Sequence, residues 1–313
     1  MIPLHRERLP LERALNNSFL CVGYLRQTSA RGTVLFLPGR SSSLGEREPT
    51  LRQLSRRGWD VASSDWRGQG ESSHDPDDPH RVHIDSFDRY LEDLQQLITW
   101  LDVHKFPRPW VLIGSSLGAH LALRLLAVER QRFLAAVLTA PMCAAITTPI
   151  PRWLARCGVR LLTACGLGPR YVDSSRHRLC MDPLARPDLN PDLWANVCEW
   201  RQQHPECLTD ALTAQWVNAM YRSLKLAHEP ALLASIATPT LALHAACDTI
   251  VDVPYAYRVL SALPHVQQVV IPKASHHLWM GNTEIAASLW GEIDRFLHSE
   301  RPPIEPQRPA LSQ

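Results

Sequence analysis

The chain has almost no net charge: 33 Lys and Arg stand against 31 Asp and Glu, a formal balance of +2 over 313 residues. It therefore lacks a general field for collecting polyanions. No run of Lys and Arg is long enough to suggest a nucleic-acid patch, so nucleic acid is excluded as a first partner. It also lacks any stretch near the roughly 20 uninterrupted apolar residues that span a bilayer. Where a signal peptide needs an apolar block, the first seventeen positions carry Arg6, Glu7, Arg8, Glu12 and Arg13. These absences lead to the expectation of a cytoplasmic protein with no membrane span. Cys21, Cys143, Cys157, Cys165, Cys180, Cys198, Cys207 and Cys247 are scattered, and no C-x-x-C occurs. Reduced thiols buried as small hydrophobes are expected, rather than a disulfide framework or a zinc site. The His, Cys and Asp positions lack short paired spacings, and His74, Asp75, Asp77, Asp78 and His80 read as a solvated loop. No metal or other cofactor is expected. There is no internal repeat and no low-complexity block.

What is present is a composition 45% hydrophobic and 20% charged, enough to build a sizeable core. Thr33 to Leu37, Trp59 to Ser64, Trp110 to Ile113, Phe133 to Thr139, Thr240 to Ala245 and Val266 to Ile271 are short apolar runs that end in turn or polar residues, the design of buried strands. Between them, Ser86 to Val103 carries apolar residues at the spacing of one helix face, and Leu117 to Val128 is apolar nearly all round. Such alternation predicts an α/β fold, a mostly parallel central sheet with helices on both faces. The alternation fails over 142–235, which is rich in helical periods, Pro and Trp and contains no convincing strand. An insertion there lies at the carboxyl end of the sheet, where ligands bind in such folds, and is expected to form a helical cap. The core then comprises 1–141 and 236–299, and the Pro-rich tail 300–313 has little to bury and is expected to be disordered.

The sequence Gly114-Ser115-Ser116-Leu117-Gly118 falls between a predicted strand and a predicted helix, the context required of a G-x-S-x-G nucleophile elbow. Ser116 holds the central position; Ser115 is the competing hydroxyl and would lose the register. A serine hydroxyl is a poor nucleophile at neutral pH and needs a base and an orienting acid, which follow such an elbow in the order acid, then histidine. Asp248 lies after the Thr240 strand and His276 after the Val266 strand. Asp252, four positions on from Asp248, and His277, adjacent to His276, are the alternatives. The oxyanion of a tetrahedral intermediate needs backbone N–H donors. The amide of Leu117 directly follows the nucleophile, and Pro38-Gly39-Arg40 after the first strand places the Arg40 amide as the second donor.

These residues resemble the α/β-hydrolase superfamily, and within it the bacterial lysophospholipase L2 and monoacylglycerol lipase group, also labelled serine aminopeptidase S33-like. The resemblance spans roughly Phe19 to Leu297. Its most telling local element is Asp65-Trp66-Arg67-Gly68-Gln69-Gly70-Glu71-Ser72, which looks like the D-x-R-G-x-G-x-S loop of that group and is assigned a structural role, its Asp and Arg cross-linking a turn near the site. The resemblance implies Ser116 as nucleophile, Asp248 as acid, His276 as base, and Arg40 and Leu117 as oxyanion amides. The chain departs from the group at Pro38, where His-Gly is usual, at Ser115, where His is usual, and at His277, where Glu is common. The implied activity is hydrolysis of a small lipid-like ester, a monoacylglycerol or lysophospholipid. A short-chain esterase, a thioesterase, a small-peptide aminopeptidase and a non-enzymatic binding protein stay open beside it. From Arg152 to Leu162, Arg152, Arg156 and Arg160 recur every fourth residue, with Trp153, Leu154, Cys157, Leu161 and Leu162 mainly on the other side. A basic amphipathic helix on the cap suits transient contact with a membrane surface, and equally a solvated Arg face on a packed helix; most cap aromatics are expected in the cap's own core.

Overall fold

A computed structural model of the chain describes residues 2–11, 18–146, 150–172, 186–209 and 212–300. Its centre is an eight-stranded sheet of β1 (His5–Pro10), β2 (Phe19–Leu25), β3 (Thr33–Leu37), β4 (Asp60–Ser64), β5 (Trp110–Ser115), β6 (Phe133–Thr139), β7 (Thr240–Ala245) and β8 (Val266–Ile271). The strands are ordered β1-β2-β4-β3-β5-β6-β7-β8. From β4 through β8 every pairing is parallel, while β1 and β2 join antiparallel at one edge. β3, β4 and β7 are buried at every position, because helices cover both faces of a parallel sheet. α2 (Asp88–Val103) and α3 (Leu117–Val128) cover one face with Tyr90, Leu94, Leu97, Leu121 and Leu125. α1 (Leu44–Arg56) and, at the chain's end, α9 (Thr283–Ser299) cover the other with Leu51, Leu54, Ile285, Leu289 and Ile293.

All six predicted strands form. β1 and β2 were not among them, and the reason differs for each. The β1 sequence His-Arg-Glu-Arg-Leu-Pro is almost wholly exposed; it is an edge strand held by its ladder to β2, from His5 opposite Tyr24 to Pro10 opposite Phe19, and its charges blunt that edge. β2 is largely buried, and Gly23 and Tyr24 interrupt its apolar run.

Between β6 and β7 the described residues form α4 (Arg152–Ala164), α5 (Pro191–Gln203), a 3-10 turn (Pro205–Cys207), α6 (Ala214–Ala227) and the short α7 (Pro230–Ala234), and no strand. α6 is sealed into the main core through Trp216, Ala219, Met220 and Leu224, whereas Trp194 and Val197 of α5 form a small cluster with Leu189 and Met280. α4 behaves differently. Only Val159 is buried; Trp153 is 68% exposed and Leu161 66%, Leu154 is exposed as well, and so are Leu167 and Tyr171 beyond the end of the helix. The expectation that most of these side chains fill a core fails on α4, because the helix packs on α6 through its Ala155–Val159–Leu162 side and leaves the wider apolar side uncovered. α8 (Val253–Leu260) completes the set.

The expectation of buried, reduced thiols also needs correction: Cys157, Cys165 and Cys247 are exposed and Cys198 is disulfide-bonded, while Cys21, Cys143 and Cys207 are the buried free thiols. Cys180, positions 12–17 and positions 301–313, which hold nearly all of the expected disordered tail, lie outside the described residues. Among the described residues no helix is long and apolar enough to cross a membrane.

Candidate active site

The turn from β5 into α3 is forced by its glycines. Ser116 adopts φ 51° and ψ −108°, in the region L-residues avoid. A Cβ added at Gly118 would sit 2.1 Å from the Leu37 carbonyl oxygen, and one at Gly114 2.6 Å from the Gly118 oxygen. The strand-to-helix turn can therefore close only with glycine on both sides, and it is pinned by the Ser116 amide donating to Thr139 at 2.9 Å. The result is a serine hydroxyl lifted from the carboxyl edge of the sheet at the N-terminus of α3.

Two loops at the same edge meet it. His276 Nε2 lies 3.0 Å from Ser116 Oγ, and His276 Nδ1 lies 2.7 Å from Asp248 Oδ2. The Asp248 side chain has no exposed surface; its second oxygen accepts the amides of Ile250 at 2.8 Å and Val251 at 3.0 Å. Burial pushes this carboxyl up, but the hydrogen bond and charge of His276 and those two amides outweigh it and hold Asp248 below the ordinary carboxylate range. The alternatives are placed elsewhere. Asp252 caps α8 by accepting from the Tyr255 amide at 2.9 Å and pairs with Arg152. His277 points toward Trp194, ring centroids 6.1 Å apart. Burial first, then the positive charges of His276, Arg47, Arg186 and Arg201, pull its imidazole down to about 3.

The loop after β3 runs beside Ser116: a Cβ at Gly39 would fall 3.6 Å from that of Ser116, which brings the Pro38–Arg40 backbone alongside the hydroxyl. That loop is braced by the Asp65–Ser72 segment. Asp65 Oδ1 accepts the Leu44 amide at 2.7 Å and its Oδ2 the Glu71 amide at 2.8 Å. Trp66 Nε1 donates to the Pro38 carbonyl at 3.0 Å, and Gln69 Oε1 accepts the Ser41 amide at 2.7 Å. Asp65 thus cross-links the turn as expected, whereas Arg67 turns away to Asp93 on α2. Trp66 and Gln69 were not singled out from the sequence; the loop pattern flagged the segment, and only the fold reveals that these two side chains reach the β3 loop.

One group among the described residues offers three metal-ligand types close together: Cys21, Asp65 and Glu71, with ligand atoms within 4.8 Å of one another. Both Asp65 oxygens are already committed to backbone amides, which makes the carboxylate a brace for the loop. The acidic loop before α2 is internally paired through Arg81 and Asp75 at 2.6 Å and tied to the 3-10 turn by His80 Nδ1, 2.8 Å from the Leu208 carbonyl oxygen. A cavity of about 470 Å³ opens on the Asp248 side of the site, lined by Ile146, Ile150, Val251 and Val253 together with Arg152, Asp248 and Asp252.

Residues 28–283 match the serine aminopeptidase S33 family. The chain belongs to this family of α/β-hydrolases. It is 22% identical over 284 residues to a probable lysophospholipase L2 of Haemophilus influenzae, covering 87% of this chain and 85% of that protein. It is 23% identical over 285 residues to a monoglyceride lipase homolog of monkeypox virus, covering 90% and 95%. Among solved structures, a soluble variant of monoglyceride lipase from Saccharomyces cerevisiae in complex with a substrate analog superposes with a TM-score of 0.72 at 14% identity, covering 96% of each chain. The S33 hydrolase is thus an enzyme with the α/β-hydrolase sheet, similar to proteins of the lysophospholipase and monoglyceride lipase group.

Proposed function

We propose that this hydrolase cleaves the carboxylic ester of a lipid-like substrate, a monoacylglycerol or lysophospholipid, through Ser116, His276 and Asp248. The observation that carries the reading is the unbroken line from Ser116 Oγ through His276 to Asp248, at 3.0 and 2.7 Å. In this mechanism His276 Nε2 takes the Ser116 proton as Oγ bonds to the ester carbonyl carbon, and the C=O electron pair moves onto oxygen. The Leu117 and Arg40 amides stabilise that oxyanion, helped by the positive end of α3. The oxyanion collapses, the bond to the alcohol oxygen breaks, and His276 returns its proton to the departing alcohol. Water then enters: His276 takes its proton, hydroxide adds to the acyl carbon, and the acid leaves as Ser116 regains its hydrogen. Asp248 holds the imidazole by Nδ1–H and stabilises its positive form without itself taking the proton.

The lipid character is supported by the names of the relatives and by two features of the chain: the cavity beside Asp248, in which Ile146, Ile150, Val251 and Val253 stand with the Arg152–Asp252 pair, and the uncovered apolar side of α4 flanked by Arg156 and Arg160. Residues 142–235 act in this account as a cap over the site, and α4 touches a lipid surface transiently. A panel of p-nitrophenyl esters of increasing chain length, set against aminoacyl amides, tests the substrate class. Rates rising with chain length and no amide turnover are expected; aminoacyl amides as the better substrates would replace a lipase-like reading with a peptidase one.

A further inference from the structure

The seam between α1, the 186–188 segment, α5 and the His276 loop holds a group of cations that the triad chemistry does not use. Arg47 on α1 is largely buried, with 13% of its side chain exposed. Its Nε donates to Ser42 Oγ, but neither terminal nitrogen has a hydrogen-bond acceptor among the described residues. The nearest carboxylate, Glu46 Oε2, stands 4.0 Å away, and Glu46 is already clasped by both Arg201 Nε at 2.9 Å and Arg201 Nη2 at 3.2 Å. Arg186 divides itself between Asp188, at 3.1 Å, and Ser275 Oγ, at 2.8 Å, the residue directly before His276. His277 lies within reach of the charges of Arg47, Arg186 and Arg201 and forms no side-chain hydrogen bond among the described residues. Three guanidinium groups thus share two carboxylates, Glu46 and Asp188. Burial, opposed by Glu46 and reinforced by Arg201, pulls the Arg47 guanidinium below its ordinary range. Neither terminal nitrogen of Arg47 is among the fully buried polar atoms left without a partner, so both keep contact with solvent and are open to an anion.

We propose that Arg47 and His277, flanked by Arg186 and Arg201, form an anion subsite beside the triad that receives the head-group phosphate of a lysophospholipid. The subsite rests on the hydrolase reading above and narrows its substrate class. The position fits the chemistry: in a lysophospholipid one glycerol unit joins the acyl ester to the phosphate, so the phosphate must lie next to the reacting carbonyl. The seam is bounded by Ser42, two residues beyond the Arg40 amide, and by Ser275, one residue before the base. The two idle Arg47 nitrogens suit paired phosphate oxygens, and a neutral His277 supplies a further N–H. A monoacylglycerol has no group to satisfy them.

The test compares kcat/KM for a lysophosphatidylglycerol and a monoacylglycerol of the same acyl chain, both below their critical micelle concentrations, in wild type and Arg47→Met. Wild type is expected to prefer the phosphate-bearing substrate, and the variant to lose about 10- to 100-fold of that preference, mainly through KM, the range of a charge-assisted hydrogen-bond pair. In wild type alone, glycerol 3-phosphate is expected to inhibit p-nitrophenyl butyrate hydrolysis competitively at fixed ionic strength where glycerol does not, a readout that does not depend on the variant folding. Absence of both the phosphate preference and this inhibition, with p-nitrophenyl butyrate still hydrolysed, would overturn the subsite alone. Absence of p-nitrophenyl butyrate hydrolysis would instead overturn the hydrolase mechanism on which the subsite rests.

Discussion

Asp248 is a carboxylate with no exposed side-chain surface that nevertheless stays ionised, because every oxygen has a donor: His276 on Oδ2, and the Ile250 and Val251 amides on Oδ1. Its contribution is orientation and charge. Replacing it with Asn keeps the shape but turns an acceptor into an amide that can present N–H to His276 Nδ1, stabilising the tautomer that cannot accept the Ser116 proton. Asp248→Asn is expected to lower kcat by about 10³- to 10⁴-fold with KM little changed and the circular dichroism spectrum intact; a loss under about tenfold would remove Asp248 from the mechanism. At this scale the residues by themselves left Asp252 beside Asp248 and His277 beside His276, and the family resemblance implied Asp248 and His276. Asp248 and Asp252 both follow β7, and His276 and His277 both follow β8; only the three-dimensional placement sends Asp252 to Arg152 and the α8 cap, and His277 to the Arg47 seam. The idle nitrogens of Arg47 were invisible, since the partners that define their idleness, Glu46 and Arg201, lie 155 positions apart.

Among the elements, buried strands were legible because a strand covered on both faces must be a continuous apolar run. β1 was not, because an edge strand owes its place to backbone pairing and its side chains answer to solvent. α4 shows the opposite hazard. Its amphipathic pattern was clear from Arg152 to Leu162, but periodicity does not say which side faces inward. The side that carries Trp153, Leu154 and Leu161 faces outward, and Arg156 and Arg160 border it. Burying an indole or a leucine in a lipid interface is worth on the order of 1.5–3 kcal/mol each, and an arginine near an anionic surface about 1 kcal/mol. A Trp153→Ser/Leu161→Ser variant is expected to lose at least about tenfold in co-sedimentation with anionic liposomes, with unchanged circular dichroism, and wild-type binding is expected to weaken with added salt. Liposome binding equal to wild type would show that α4 meets no membrane.

For the whole molecule, near-neutral composition excluded a global electrostatic strategy but hid a local one, the guanidinium cluster at the seam between α1, α5 and the base loop. The sheet explains why positions 116, 248 and 276 could be read together at all. In a parallel sheet every carboxyl end lies on one edge, so an elbow after β5, an acid after β7 and a histidine after β8 converge without any contact in sequence. What the order of elements could not supply is the bracing: Trp66 and Gln69, in the loop after the neighbouring strand β4, fix the Pro38–Ser41 backbone, and such side-chain reach has no periodic signature. The account's central claim is that Ser116 is the nucleophile, and the most direct measurement is peptide mapping by mass spectrometry after treatment with a fluorophosphonate. A single adduct on Ser116, absent from Ser115 and lost in Ser116→Ala together with ester hydrolysis, is the predicted result; no adduct on Ser116, or labelling and turnover that persist in Ser116→Ala, would contradict it.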